Sequence, residues 1–571
     1  MKLINFSFLN KSSIFIILAI ILLFYIACYN FSYNFFYQDD FHLLRFVTIF
    51  SDDSIDFQQK LFALYDQHNE HRIIFPRLLV LMDFYLQGHL DWKVLNVFSA
   101  LYYLGIFIFF AILIKKINLA NWFIVPVALF IFQPSAYQNF YWTISILQQV
   151  GNLFWAMFLF YSLVYFQGKN FWISLILIFV LTFTHGNGLF AFGVGGIILV
   201  LQKRYKHLLI WVSFMCVVAI AYFYGYFTAQ NSNIKGSLSD PIRLIGCFGG
   251  FWGGFSYDFF NKENRTSFAI LSGLLIFIIL LIFNFELTIN QFYSKSKHRL
   301  QKYFPQENLF LYACFLYLTI TAGLVALSRS WNSIEAGFQN RYLHNSVIAF
   351  VLLYVTILHY KSTFIRQLAG LFMLLGSIFF NIFAWYSTYG LLDFQRKSQE
   401  ADAVNYQLNH VSVVNDKSFN QNIATVLEKS YKRGISIFQN SNLLTSTKKI
   451  KFIKSEQQVD YQIDIQRDSL LEFNISNSRY RDIYQINNYT LPYEGDVYLI
   501  MMSKNNTFIN PTSHRKNAKI SFLKTGQYFT DGFMTTIMTD AMPPCEYHIG
   551  FLQSVNNQFV YFPTKYKILT R

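Results

Sequence analysis

A chain of 571 residues that is 54% apolar and 20% aromatic, with a mean hydropathy of +0.32, is too apolar for a soluble protein of this size and reads as a polytopic membrane protein. Its formal charge of +15 is carried by lysines and arginines in short clusters between apolar runs, where membrane topology puts them, which argues against a nucleic-acid partner. The five scattered cysteines, Cys28, Cys216, Cys247, Cys314 and Cys545, form no CxxC pair and exclude a disulfide framework or a cysteine metal cage.

Lys2 and Lys11 precede the apolar run from Ile14 to Cys28, which has no small-x-small cleavage site after it and reads as an uncleaved first helix with its N-terminus in the cytoplasm. From Asn30 to about Lys93 the chain is polar and aromatic, as expected of a large outer loop with interfacial helices. Expected spans follow at Val94–Ile114, Trp122–Phe132, Ile146–Phe166, Phe171–Thr184, Leu189–Leu201 and Leu208–Phe227, of which Phe171–Thr184 and Leu189–Leu201 are short for a full span and read as a pair of short helices joined by the glycine-rich turn Thr184–Gly188. The glycine-rich stretch Gly236 to Arg265 reads as a re-entrant or surface segment, because counting it as a span would put Lys295, Lys297, Arg299 and Lys302 outside. Further spans are expected at Phe268–Phe283, Leu309–Leu327, Leu343–Tyr360 and Leu368–Tyr389.

From Asp393 onward the composition turns polar. Phe419 to Gly434 carries Ile423, Val426, Leu427 and Tyr431 at helical spacing. Alternating runs at 459–465, 471–475, 497–501, 519–523 and 559–562 then predict a small β-sandwich. The expected class is mainly α: a polytopic transmembrane helix bundle of about eleven spans with a C-terminal extracytoplasmic β-rich domain. The expected divisions are a transmembrane domain over 1–392, with its first outer loop at about 30–93, a helical connector over 393–447 and a sandwich-like domain over 448–571.

Two adjacent carboxylates, Asp39 and Asp40, follow the first span within Phe36-Tyr37-Gln38-Asp39-Asp40-Phe41-His42. At a bilayer edge they could act as a general base, or hold a divalent cation against a phosphate; equally, they could cap a helix beginning at Phe41. Farther along the same loop, Asp66 to Arg72 gathers acid, imidazole and guanidinium. Arg72 and Arg77 there suit a lipid phosphate, and His68, Glu70 or His71 suit proton transfer; a polar helix face meeting headgroups, or a two-imidazole zinc site, would use the same residues. Arg329 and Arg341 flank the outer ends of two consecutive spans, against the usual charge bias, with Tyr342 beside the second. They could stabilise a departing phosphate or snorkel to headgroups. His185, Asn187 and the run Trp142–Asn152 either line a cavity or tie helices together. Tyr461, Tyr480, Tyr489 and Tyr498 could stack on sugar rings, though strand composition also accounts for them.

An acidic pair just after the first transmembrane helix, then a long outer loop, many spans and a C-terminal outer domain, resembles the GT-C superfamily of membrane glycosyltransferases. The resemblance implies a polyprenyl-phosphate sugar donor, undecaprenyl in a bacterium, and a cell-envelope glycan acceptor, with Asp39 and Asp40 at the catalytic centre and Mg or Mn as a possible cation. It further implies inversion at the anomeric carbon, on the outer face of the cytoplasmic membrane. The pair here is Asp-Asp rather than Asp-x-Asp. Alternatives are an envelope polysaccharide polymerase or ligase, in which these acids would be dispensable, and a transporter or flippase. The near absence of ionisable residues within the spans argues against ion-coupled transport.

Overall fold

The computed structural model describes residues 7–166, 168–228, 232–259, 263–293, 306–360, 362–412, 417–450, 463–474, 477–539, 541–556 and 558–570. The expected basic loop with Lys295, Lys297, Arg299 and Lys302 lies outside these residues, as do Tyr461 and the side chain of Tyr480. The chain forms two compact units. One comprises Met1–Tyr29, Ile49–Met82 and Val94–Thr388; the other comprises Asn30–Thr48, Asp83–Lys93 and Tyr389–Arg571.

Among the described residues, eight helices are long and apolar enough to cross a membrane: Asn10–Phe31, Trp92–Lys116, Thr143–Tyr165, Tyr205–Phe223, Arg265–Glu286, Gln306–Arg329, Asn340–His359 and Thr363–Asn409. Twenty residues of helix rise about 30 Å, the thickness of a hydrocarbon core. Three expected spans form shorter apolar helices, Asn121–Ile131, Gly168–Thr182 and Gly188–Leu201. The glycine-rich stretch folds as a helix of 13 residues, Pro241–Gly253, capped by the Asp240 side chain accepting from the Arg243 N–H. Its glycines let it close on the helix Arg265–Tyr293: a Cβ on Gly253 would collide with the Ala269 carbonyl, and one on Gly273 with the Gly249 carbonyl.

The last long helix does not stop at Tyr389. It runs unbroken from Thr363 to Asn409, so the first part of the expected connector continues the helix. The polar residues after Asp393 do not end it: Lys397 and Asn405 are fully buried along with Leu392, Ala401 and Val404, so the helix continues inside the second unit.

The strands β1 (Gln67–His68) and β2 (His71–Arg72) belong to the first unit, and eight more follow in the second. These are β3 (Ile463–Asn474), β4 (Asn477–Asn488), β5 (Val497–Met502), β6 (Thr507–Pro511), β7 (Ser513–Lys516), β8 (Phe529–Met538), β9 (Glu546–Val555) and β10 (Gln558–Leu569). They make two antiparallel four-stranded sheets, ordered β10-β9-β5-β6 and β3-β4-β8-β7. Val497, Leu499 and Met501 join Ile486, Phe533 and Ile537 in the core. The alternate residues of β5, Tyr498, Ile500 and Met502, pack instead with Ala401, Val404 and Leu443. A strand covered on both faces explains the unbroken apolar run from Val497 to Met502. Residues 519–523, expected as a strand, form the helix Lys519–Thr525 instead, which ends where Gly526 takes a left-handed φ of 70° and its N–H bonds the Phe522 carbonyl.

The outer loop contributes to this second unit through side-chain and backbone bonds. Asn34 Oδ1 accepts from the Trp92 N–H at 3.0 Å, Gln399 donates to the Phe35 carbonyl at 3.0 Å, and Arg433 donates to the Thr48 carbonyl at 2.9 Å. Leu90 bonds Ile435 through the backbone.

Candidate functional site

Asp39 and Asp40 belong to the second unit. Gln38, at a φ of 41°, turns the chain so that Asp40 begins the helix Asp40–Phe50, where its Oδ2 accepts the Tyr37 N–H at 3.2 Å. Asp40 is buried rather than solvated, and Asp39 is half-buried. Among the described residues no three His, Cys, Asp or Glu side chains stand together as a metal site.

In the first unit, the outer loop forms a two-residue hairpin in which β1 and β2 pair Gln67 with Arg72 and His68 with His71. Asn69 supplies the left-handed φ of 50° that the tight turn needs, so Glu70 projects from the tip. Two expected phosphate ligands are structural here. Arg72 is buried, donates to the Tyr222, Tyr65 and Tyr224 carbonyls, and lies 3.9 Å from the Tyr65 ring centroid. Arg77, also buried, donates to the Leu64 carbonyl at 2.9 Å and to that of Asp66. Their guanidiniums satisfy carbonyls at the ends of the helices Phe57–Tyr65 and Tyr205–Phe223, where no helical N–H remains to do so. His68 is buried beside the Asn69 amide, 3.2 Å away.

Glu70 and His71 line a cavity of about 250 Å³ together with Gln149, Asn152, His185, Asn187, Tyr222, Tyr226, Arg329, Tyr342 and Asn345. Arg329 closes the helix Gln306–Arg329 and grips the Glu70 carboxylate through one nitrogen, at 2.8 and 3.1 Å from its two oxygens. The Tyr222 and Tyr226 hydroxyls donate to the Glu70 carbonyl at 3.2 and 3.4 Å, fixing the hairpin tip. Among the described residues Arg329 is the one permanently cationic side chain in the lining. Arg341 instead bonds Gln339 at 3.0 Å and lies 5.9 Å from the Trp142 ring.

His71 and His185 stack with ring centroids 3.9 Å apart. The Nδ1 of His71 accepts the Gly186 N–H and that of His185 accepts the Asn187 N–H, each at 3.3 Å, which leaves the proton of each neutral ring on Nε2. Burial, with the neighbouring His185 and Arg329, holds His71 well below the usual histidine range; burial and Arg329 bring His185 down to about 4. The site therefore has two uncharged imidazoles beside one guanidinium–carboxylate pair.

The approach of His71 to the turn before the helix Gly188–Leu201 depends on Gly186. A Cβ there would stand 2.9 Å from the Tyr222 hydroxyl and 3.0 Å from His71 Nδ1. Gln149 reaches the cavity from a π-helical turn, Ile146–Val150, where one extra residue per turn rotates side chains from their α-helical directions. Its amide lies 3.4 Å from His185 Nε2. Asn152 accepts the Tyr317 hydroxyl at 2.7 Å, so the run Trp142–Asn152 both lines the cavity and ties helices together. Sequence reasoning missed Tyr222, Tyr226, Thr321, Ser328 and Asn345. The signal for Thr321 and Ser328 was their seven-residue separation, which puts them on one helical face with Leu324 and Val325. Of the tyrosines expected to stack on sugars, Tyr498 is buried and donates to Glu400 at 2.7 Å, whereas Tyr489 is exposed beneath Arg515.

The apolar helices make this a multi-helix membrane protein with a C-terminal β-sandwich. No family model, curated protein or solved structure matches the chain.

Proposed function

We propose that the protein is an integral membrane glycosyltransferase of GT-C type, which moves a glycosyl unit from a polyprenyl-phosphate carrier to a hydroxyl of a cell-envelope glycan. The outer face of the cytoplasmic membrane is the proposed location, with the N-terminus in the cytoplasm and the C-terminal domain outside. The observation that carries this reading is the convergence of Glu70, Arg329, His71 and His185 on one cavity among apolar helices. A guanidinium suits a phosphate leaving group, the amides of Gln149, Asn152 and Asn345 suit sugar hydroxyls, and a carboxylate and neutral imidazoles suit proton acceptance.

In this proposal the donor phosphate takes Arg329 from Glu70. The acceptor oxygen then attacks the anomeric carbon, the bond from that carbon to the phosphate oxygen breaks, and its electron pair leaves on the phosphate, whose charge Arg329 offsets. The acceptor proton passes to Glu70. A single displacement inverts the anomeric centre. Asp39 and Asp40 have no assigned step.

The second reading, an envelope polysaccharide polymerase or ligase, is favoured by one observation: among the described residues the permanent cation lining the cavity is an arginine. Mass and linkage analysis of envelope glycans tests both, in cells carrying the native gene, no gene, Glu70→Gln, Arg329→Gln, Asp39→Asn or Asp40→Asn, with membrane levels matched. Loss of one defined sugar in the deletion, Glu70→Gln and Arg329→Gln strains supports transfer. Shortened polymer of unchanged composition supports the second reading. An unchanged glycan in every strain sinks both.

A further inference from the structure

We propose that the helix Lys519–Thr525 is a membrane-interface anchor, seating Ile520 and Leu523 at the headgroup–acyl boundary of the bilayer that the protein spans. Ile520 and Leu523 stand three residues apart on one helical face and are 69% and 81% exposed. No residue of this helix is buried, so its apolar face does not serve the sandwich core. Lys519 and Lys524, both exposed, lie at its ends, the composition of a short interfacial segment whose apolar side enters lipid while its lysines meet phosphates.

The second unit itself marks where the lipid ends. The first candidate span closes at Phe31, and Phe31 packs edge-on against Tyr389 of the long helix with ring centroids 5.3 Å apart. In that helix the exposed apolar residues Leu375, Ile378, Phe379 and Ile382 give way to Trp385, Tyr386 and Tyr389, the residue types that concentrate at a membrane–water interface. Tyr528 meets the helix at this level: its ring lies 4.9 Å from that of Tyr389, and its hydroxyl accepts the Gly390 N–H at 3.3 Å. Phe522 of the short helix packs on Tyr528 at 6.1 Å. The chain from Phe31 through Tyr389 and Tyr528 to Phe522 thus carries the level of two helix ends to the exposed face of Ile520 and Leu523. The occupant follows from that continuity: a bilayer surface rather than a soluble partner.

The test uses the full-length protein, with the more accessible native thiols removed by Cys216→Ser and Cys545→Ser, in nanodiscs of phosphatidylglycerol and phosphatidylethanolamine. A polarity-sensitive fluorophore is placed at Leu523→Cys, or at Ser521→Cys as a second site on the helix. The reference is Asn505→Cys, in the exposed turn between β5 and β6. The expected result is a fluorophore at 523 that is strongly quenched by lipids brominated high on the acyl chain and shielded from iodide, with the reverse at 505. Iodide access at 523 equal to that at 505 overturns the proposal. Shielding from iodide without quenching by brominated lipid overturns it too, since a protein surface, such as a second copy of the chain, would then be the cover.

Discussion

His71 and His185 are the residues whose protonation should be felt most directly. Burial lowers His185 from 6.5 to about 4 and lowers His71 in the same direction, so each ring is neutral in the folded protein at pH values where the unfolded chain binds a proton. Their contribution to stability is therefore complete above pH 6.5 and is lost as the pH falls toward 4. For His185 this amounts to on the order of 3 kcal/mol. Thermal midpoints in nanodiscs between these pH values should fall with acid, and His185→Gln should flatten the slope; a flat native profile would contradict the assignment. Gly186→Ala tests the same pair sterically. The added methyl must displace the Tyr222 hydroxyl or the His71 ring, so we expect glycan product to drop at least as far as with His71→Gln while the protein still accumulates. Native product levels in Gly186→Ala would mean that the stacked geometry is not needed.

At the scale of elements, the π-helical turn Ile146–Val150 sets the direction of Gln149. Deleting Val150 would let the turn close as an ordinary α-helix, in which each residue advances about 100°. Gln149 should then lose its place beside His185, with product lost and membrane insertion retained; full activity would show that the turn has no part in the site. The strand β5 makes a different prediction, because its two faces are buried in separate clusters. Ile500→Ala removes side-chain volume between β5 and the stripe at Ala401 and Val404, and should cost about 2–5 kcal/mol. The check is the urea midpoint of the sandwich followed by protease resistance, and an unchanged midpoint would remove this contact from the stabilising set.

These elements also show what could be read from the sequence. Long apolar runs announced the helices, since twenty lipophilic residues without a charge have few other uses. The end of the helix Thr363–Asn409 was not legible, because polarity at Arg396, Lys397 and Glu400 looks like an exit from helix when it is an exit from lipid. Arg396 pairs with Asp393, Glu400 and Asp496, and Lys397 pairs with Asp393; Asp496 lies 100 residues from Arg396 in sequence. The strand expected over 519–523 failed because alternation over five residues cannot be told from a turn and a half of helix. In the candidate site, Glu70 and His71 were legible as part of a charged cluster in the loop after the first span, and Arg329 and Tyr342 as residues at the ends of consecutive spans. That Arg72 and Arg77 serve backbone carbonyls was not, since a guanidinium's partner is a matter of three-dimensional neighbours.

For the whole molecule, the membership of the second unit carries the main prediction. Leu43, Leu44, Phe46 and Val47 of the outer loop are buried, within the same compact unit as the C-terminal region. A chain stopped after residue 392 should therefore lose more than a sandwich. We expect its outer loop to become protease-sensitive near Asp39–Phe50 while the helices from Val94 to Tyr360 still resist; cleavage confined to the new terminus would refute this.

That arrangement also has a bearing on how the protein is made. The segment Asn30–Thr48 leaves the ribosome well before the partners it packs with, which begin at Tyr389. During synthesis its apolar side chains must wait until the intervening helices have been translated. A cell making this protein faster than it completes it would accumulate chains with that segment uncovered, and these would be the natural targets of quality-control proteases.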